Sequence, residues 1–475
     1  PGETIHVKAG TYTETEQSDL AVGVSIIGQG ATSIITSAEA LNPIITASSA
    51  AGNAVNGNQS ISYLKFDGNS TVVYCAIHSK FRNNVLIHHC AFDDFLYNGV
   101  WYDGTVSDWN VTPTNTIPTG NKIYDCDFVN CTQLSGNATT GHIRLEGQSG
   151  IEIYNCKFDQ TTRGDGENHN ILAGYQNYGW KLHDCEFKKN ELNGTAYNFV
   201  AEIHYSHGGV DIYNNTFTGG GCFDLSGSVK GTYAYGARIY SNTFTNPTSM
   251  AAAAHDEPFI DLESYEYEND IYIYNNYFNN SRTAIKLNNT QTSADNIWIY
   301  YNIFENVGNT TNAYSNAILV QSNWSDAAGI PISNLHILNN VMDAGQPSYT
   351  GILLSCWGDI SNIEIRNNII YGGFGRPIRF TDNGGSPEIN TADINNNDFY
   401  GNTNTAISYG AGVVYNDIDD TGNITTDPTF VGGSPYDFHL QAGSPCINKG
   451  IDVGLLTDYD NQTVGNPPEI GAYEY

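Results

Sequence analysis

An eight-residue phrase, Ile-X-Ile-Tyr-Asn-Asn-X-Phe, recurs along this chain and restricts its possible folds more than any other feature. It reads VLIHHCAF at 85–92, KIYDCDF at 122–128 and IEIYNCKF at 151–158. It continues as WKLHDCEF, VDIYNNTF, ARIYSNTF, IYIYNNYF, IWIYYNIF, LHILNNVM, IEIRNNII and TADINNNDF. Aligned on the sixth position, with one earlier member, it gives Leu64, Cys90, Cys126, Cys156, Cys185, Asn215, Asn242, Asn276, Asn302, Asn340, Asn368 and Asn397, spaced 26 to 38 residues apart. Within each phrase apolar and polar residues alternate, the period of a strand. A single such unit cannot bury its apolar face; stacking neighbours buries a continuous cylinder. The repeat therefore predicts an all-β chain, a right-handed parallel β-helix of about twelve or more coils over residues 1–430. Residues 431–475 are expected to form a C-terminal segment packing on the last coils.

Two residues beyond the aligned position lies a column of Phe66, Phe92, Phe128, Phe158, Phe187, Phe217, Phe244, Phe278, Phe304, Met342, Ile370 and Phe399. Equivalent residues on successive coils sit about 4.8 Å apart, so an internal aromatic stack is expected. The Asn run is expected to be an inward-turned ladder at a sharp corner, its amides bonding from coil to coil. Four of the nine cysteines occupy the same column in the first half. Without a CxxC pair, zinc and redox motifs are not indicated; stacked free thiols acting as small buried hydrophobes are.

Lys plus Arg number 19 against 50 Asp plus Glu, a formal charge of −31. A nucleic-acid binder needs a basic stripe, and no such stripe is found. No run approaches the ~18 apolar residues that span a bilayer. The chain opens at Pro1-Gly2-Glu3-Thr4 directly into a strand pattern, so any export signal is expected to lie outside this sequence.

A second strand follows each corner, and its alternation assigns faces. In HIRLEG, Ile143 and Leu145 point inward, so Arg144 and Glu146 point outward. The same register gives outward pairs Trp101 and Asp103, Leu172 and Gly174, Glu202 and His204, Asp224 and Ser226, Asp261 and Glu263, and Lys286 and Asn288. Charge concentrates on the middle coils. Carboxylates this close repel and call for a proton, a metal ion, flanking bases or a substrate to offset them.

The opening GETIHVKAGTYTE (2–14) and VSIIGQG (24–30), with the repeat itself, resemble the pectate-lyase-like β-helix superfamily. DPTF (427–430), YDFHLQAGSPCINKG (436–450), TDYDNQTVG (457–465) and PPEIGAYEY (467–475) are similar to a C-terminal segment of secreted bacterial β-helix proteins. The resemblance implies an exported or surface-bound bacterial protein, most often carbohydrate-active. It does not name a reaction, because this fold hosts many.

Three readings follow. In a glycoside hydrolase, two carboxylates divide acid and base work: Asp224 with Asp261, expected one coil apart as in retaining enzymes, or Glu202 with Asp261, expected two coils apart as in inverting ones, with Glu263 alongside and His204 tuning or replacing an acid. Trp101, Asp103, Arg144, Glu146 and Lys286 then bind substrate, and no cofactor is required. In a polysaccharide lyase, the acids hold Ca²⁺ against a uronate and Lys286 or Arg144 is the base, as the resemblance implies. In a non-catalytic glycan binder, Trp101, Trp324 and the 32 tyrosines supply aromatic faces. The hydrolase stands slightly ahead. The expected partner is a polysaccharide, met by a monomer; no metal ligand set is assigned. His255-Asp256-Glu257 and Asp165-Gly166-Glu167-Asn168-His169 are candidate loop contributors, and Arg376 and Arg379 a remote acidic-sugar contact.

Overall fold

A computed structural model of the chain describes all residues except 1, 51, 70–71, 109–110, 133–139, 162–169, 190–198, 220–221, 228–230, 247–257, 264–267, 290–292, 309–314, 323–330, 346–347, 405–406 and 434. The described chain divides into two compact units near residue 235. The strands form three parallel sheets of 15, 13 and 13 strands; most coils contribute one strand to each, and strands Glu388–Asp393 and Val414–Asp419 extend the first sheet alone. The fold is a parallel β-helix. No helix among the described residues is long and apolar enough to cross a membrane.

In the first unit the inward columns are in register across all three sheets. Ile87, Ile123, Ile153, Leu182 and Ile212 stack in the first. Phe66, Phe92, Phe128, Phe158, Phe187 and Phe217 stack in the second, ring centroids 4.6–5.2 Å apart. Ile77, Val100, Ile143, Leu172, Ala201 and Phe223 stack in the third. The second unit repeats the scheme with Ile239, Ile273, Ile299, Ile337 and Ile365, then Phe244, Phe278 and Phe304, then Leu262, Leu287, Val320, Leu354 and Phe380. Burying each Leu, Ile or Phe contributes about 1.5–3 kcal/mol, which is why a period-2 pattern suffices to set the strands.

The corner between the first and second sheets explains the paired asparagines. Its first residue is left-handed: His89, Asp125, Asn155, Asp184, Asn214, Asn275, Asn339, Asn367 and Asn396 all have φ between 51° and 56°. Asn and Asp tolerate that region better than other side chains do. The second residue turns inward as the ladder. Asn276 N–H donates to Asn302 Oδ1 (3.1 Å), Asn302 to Asn340 (2.9 Å), Asn340 to Asn368 (3.0 Å) and Asn368 to Asn397 (2.9 Å). The ladder runs one coil further than the repeat phrase, to Asn423.

After residue 426 no regular strand is found among the described residues, only antiparallel bridges Phe430 to Leu440 and Thr457 to Thr463. Phe430, Phe438, Leu440, Cys446, Ile470 and Ala472 form a cluster with Tyr301, Ile303, Val341 and Ile369. The left-handed asparagines hold this segment directly. Asn339 Nδ2 donates to Gly471 O (3.1 Å), Asn367 Nδ2 to Ile451 O (2.8 Å) and Asn396 Nδ2 to Lys449 O (2.9 Å).

Candidate functional site: the outer face of the third sheet

The outward face of the first unit's third sheet is built on strands Cys75–Lys80, Asn98–Asp103, Gly141–Glu146, Asn170–Tyr175, Phe199–His204 and Cys222–Leu225. Register aligns two outward columns. One holds His78, Trp101, Arg144, Ala173, Glu202 and Asp224; the other Lys80, Asp103, Glu146, Tyr175 and His204. The expected outward pair Leu172 and Gly174 is corrected. Leu172 pairs with Ile143 and Ala201 and is fully buried, so Ala173 and Tyr175 face outward. The run Ile171-Leu172-Ala173-Gly174 has no alternation to fix its face, and a one-residue slip inverts it. Gly174 meets the neighbouring coil so closely that a Cβ there would lie 1.9 Å from Leu145 O.

Charge on this face is paired coil by coil. Lys80 Nζ is 2.9 Å from Asp103 Oδ2, and His78 Nε2 is 3.4 Å from the same oxygen. Burial alone would raise the Asp103 carboxyl, but His78 and Lys80 together hold it below its ordinary range. Arg144 Nε donates to Glu146 Oε1 at 2.8 Å, and Trp101 Nε1 donates to Glu146 Oε2 at 3.0 Å. The Trp101 ring is covered on both faces: His78 stacks at 4.0 Å between centroids, and the Arg144 guanidinium lies 4.3 Å away. It therefore presents an edge, not a stacking platform, to a sugar. The outward tyrosines of the first sheet behave alike, with Tyr124, Tyr154, His183 and Tyr213 stacked on one another at 4.7–5.1 Å.

Beyond this pair stands Tyr175, midway in sequence between Glu146 and His204. Burial, then the charge and hydrogen bond of Glu146, push its phenol upward, so it keeps its proton. The next coil places His204 opposite it. His204 Nε2 lies 3.0 Å from Glu202 Oε1 and its Nδ1 2.9 Å from Ser226 Oγ. Glu202 is in direct register with Asp224, which is 2 % exposed. The chain Tyr175, His204, Glu202, Asp224 thus gathers an acid, an imidazole and two carboxylates on three consecutive coils.

The other predicted acids belong to the second unit. Asp261 is 3.2 Å from Lys286 Nζ and in register with it. Burial raises the Asp261 carboxyl, against the opposing charge of Lys286. On the coils that follow, Lys286 gives way to Leu319 and Leu353, and charge returns to the column only at Arg379. Glu263 pairs through its backbone with Asn288, but its side chain lies outside the described residues, as do Asp165 to His169, His255 to Glu257 and Trp324. Among the described residues, no three His, Cys, Asp or Glu side chains are placed to hold a metal ion. Sequence reasoning missed Tyr175, His78 and Lys80; carrying the register of Arg144 and Glu146 one coil forward finds Tyr175, and two coils back finds His78 and Lys80.

No protein-family model and no curated protein matches this chain. Similar solved structures include PfbA, a surface adhesin of Streptococcus pneumoniae, 13% identical over 74% of this chain and 81% of that one, with a TM-score of 0.46. An alginate lyase from Paenibacillus is 11% identical over 70% of this chain and 87% of that one, with a TM-score of 0.32. The catalytic domain of an α-1,3-glucanase is 13% identical over 89% of this chain and 64% of that one, with a TM-score of 0.35. Likeness at this level assigns no activity.

Proposed function

We propose that the chain hydrolyses glycosidic bonds of a polysaccharide lying along the third-sheet face of the first unit. The observation that carries this reading is the direct register of Glu202 and Asp224. Strands on adjacent coils stand about 4.8 Å apart along the stack. That spacing falls in the class of retaining glycosidases, about 5–5.5 Å, rather than the wider inverting class. One carboxyl protonates the departing oxygen while the other attacks the anomeric carbon. Water then cleaves the glycosyl–enzyme bond with the first group acting as base. His204, held between Glu202 and Ser226, fixes the position of Glu202. Tyr175 and Glu146 border the next subsite.

The resemblance of the opening and closing segments to exported bacterial β-helix proteins supports action outside a bacterial cell, secreted or at its surface. A second reading, a lyase, is favoured by one observation. Tyr175, a phenol that keeps its proton, stands opposite His204, an imidazole able to take one. Reducing-end release from polysaccharides, followed with the ultraviolet absorbance of unsaturated uronates, separates the two. The hydrolase reading expects reducing ends without absorbance, and a loss of roughly 10²–10⁴-fold in kcat for Glu202→Gln and for Asp224→Asn. Full activity in both variants overturns it.

A further inference from the structure

The left-handed corner residue receives a polypeptide in the second unit and stands uncovered in part of the first. Asn339 Nδ2 donates to Gly471 O and Glu469 O, and Asn396 Nδ2 to Lys449 O. Asn367 engages a whole residue: its Nδ2 donates to Ile451 O (2.8 Å), and its Oδ1 accepts from Ile451 N–H (2.9 Å). Beside these amides the outward column of the second sheet is apolar. Ile303, Val341 and Ile369 are in register, and Ile470 and Ala472 cluster with them.

In the first unit Asn155, Asp184 and Asn214 take the left-handed positions on three consecutive coils, with φ of 52°, 54° and 55°. All three are exposed. The side-chain amides of Asn155 and Asn214 have no hydrogen-bond partner among the described residues. With Asp184, Lys157, Glu186 and Thr216 they border an open cleft of about 520 Å³. A second cleft of about 270 Å³ adjoins it, sharing Lys157 and Glu186.

The wall of the cleft decides its occupant. Where the second unit has Ile303, Val341 and Ile369, the first has Asp127, Lys157, Glu186 and Thr216 in register. A peptide docked as the C-terminal segment is docked would find no apolar wall here, and apolar burial is what holds such a segment down. The cleft offers hydrogen-bonding groups of both kinds instead. The two amides donate and accept, the Thr216 hydroxyl does the same, and the carboxylates accept. The Lys157 ammonium donates and forms no ion pair among the described residues. Glu186 is paired with Lys188 (2.8 Å), and Asp184 Oδ2 lies 2.7 Å from His183 Nδ1. Sugar hydroxyls both donate and accept, so a glycan chain running along the coils meets such groups at every step of about 4.8 Å.

We propose that this corner cleft of the first unit is a second glycan-binding site, which holds a hydroxyl-rich polysaccharide chain through Asn155, Asn214, Lys157 and Thr216. It lies between the first and second sheets, away from the third-sheet face, and does not depend on the hydrolase reading.

The test measures binding of the full chain to xylan, mixed-linkage β-glucan, galactomannan, polygalacturonate and alginate, by electrophoresis through polymer-loaded gels and by calorimetry. Two double variants are compared with the parent. Asn155→Gly with Asn214→Gly removes both amides while glycine keeps the left-handed backbone. Lys157→Met with Thr216→Val alters the strand wall and leaves the corner untouched, so it decides the matter should the glycine pair fold poorly. The expected result is that at least one polymer binds and that each folded variant binds it roughly threefold to tenfold more weakly, as for the loss of two modest hydrogen bonds. The kcat on short oligosaccharides of any polymer that is cleaved is expected to stay unchanged. No polymer bound, or binding unchanged in both folded variants, overturns the inference. A fall in kcat on the short oligosaccharides overturns the separation from the third-sheet face. Binding of a synthetic PPEIGAYEY peptide in place of any polymer, lost in the variants, assigns the cleft to polypeptide and overturns the inference as well. Weakened binding in the variants without cleavage of any polymer upholds the inference and overturns the hydrolase reading alone. Cleavage with binding indifferent to both variants does the reverse.

Discussion

The first unit and the second turn the same corner with different chemistry. In the second unit the ladder position is asparagine on every coil. Asn302 Oδ1 accepts from the backbone and side chain of Asn276, while its Nδ2 donates to Tyr300 O, Ile273 O and Asn340 Oδ1. In the first unit Cys90, Cys126, Cys156 and Cys185 occupy the position, all buried and all free thiols. The contacts are homologous. Cys185 Sγ approaches His183 O (3.2 Å) and Ile153 O (3.9 Å), the equivalents of Tyr300 O and Ile273 O. The backbone N–H of Cys90 and of Cys126 points at the sulfur one coil on. Sulfur is a weak donor and a weak acceptor. Identical backbone geometry is therefore held by strong amide bonds along the second unit's ladder and mainly by packing along the cysteine run, which passes to amide chemistry at its end, where the Cys185 N–H donates to Asn215 Oδ1 (3.0 Å). The polarity of the side chain is not what bends the chain; the left-handed residue before it does that in both units.

The largest break in this comparison comes from removing an amide. Asn302→Leu leaves the Asn276 N–H without its side-chain acceptor and takes the Nδ2 donor from Ile273 O, while Asn340 Oδ1 keeps the backbone N–H of residue 302, at about 1–3 kcal/mol per unsatisfied buried group. A loss of roughly 3–5 kcal/mol, read as a lower melting temperature of the second unit's transition, is expected. A melt within about 0.5 kcal/mol of the parent would show that the ladder is packing alone.

The next effect is one of pH, at the coil where the ladder meets the C-terminal segment. Asp398 follows Asn397, is fully buried, and lies 3.3 Å from Cys446 Sγ. Burial raises its carboxyl to about 7. Below its unfolded pKa of about 3.9 the group is protonated folded and unfolded alike, and its full stability is present. As pH rises toward 7 the folded state must hold a proton that the unfolded state has released, so stability falls through that window. Thermal melts from pH 4 to 8 should show the second unit losing a few kcal/mol, and Asp398→Asn should flatten that loss. A slope that persists in the variant assigns the effect to other groups, Glu469 first, whose carboxyl is raised to about 8 by burial and Glu474.

Smaller effects sharpen the exchange itself. Asn302→Cys imports the first unit's solution and should cost about 2 kcal/mol, less than leucine, because sulfur meets the same carbonyls weakly. The reverse, Cys156→Asn, should lie within about 1 kcal/mol of neutral, gaining amide bonds to backbone but losing packing against Cys126 and Cys185. Last, burial pushes the Cys90, Cys126 and Cys156 thiols well upward. Alkylation of the native protein at neutral pH should leave them unmodified until the first unit unfolds. Rapid labelling of Cys156 in the folded state would show that this corner opens.

Much of this was legible beforehand because the signal repeats. Ile, Tyr, Asn and Phe at fixed offsets state the strand, the corner and the core column many times over, so one aberrant coil such as Leu335 to Met342 does not blur them. The candidate site depends on single strands. Ile171 to Gly174 carries no alternation, so the reading slipped there and missed Tyr175. Asp261 is legible as an outward acid in register with Lys286; the burial that raises its carboxyl depends on three-dimensional placement that spacing does not contain. Sequence offers Trp101 as a sugar platform because it shows a ring and not its neighbours; stacking by His78 and Arg144 is a property of the coil spacing.

The corner also acts as a gauge of length. Coils of 26 to 38 residues all return to the same ladder position, so variation in length falls on the connecting segments and never on the spine. A duplicated coil, cut from one ladder residue to the next, would extend the outer face by about 4.8 Å without changing any existing contact on either side. That increment is close to the rise of one sugar along many extended glycans. Selection or design can thus change the number of subsites in whole steps, by counting coils rather than by redesigning the face.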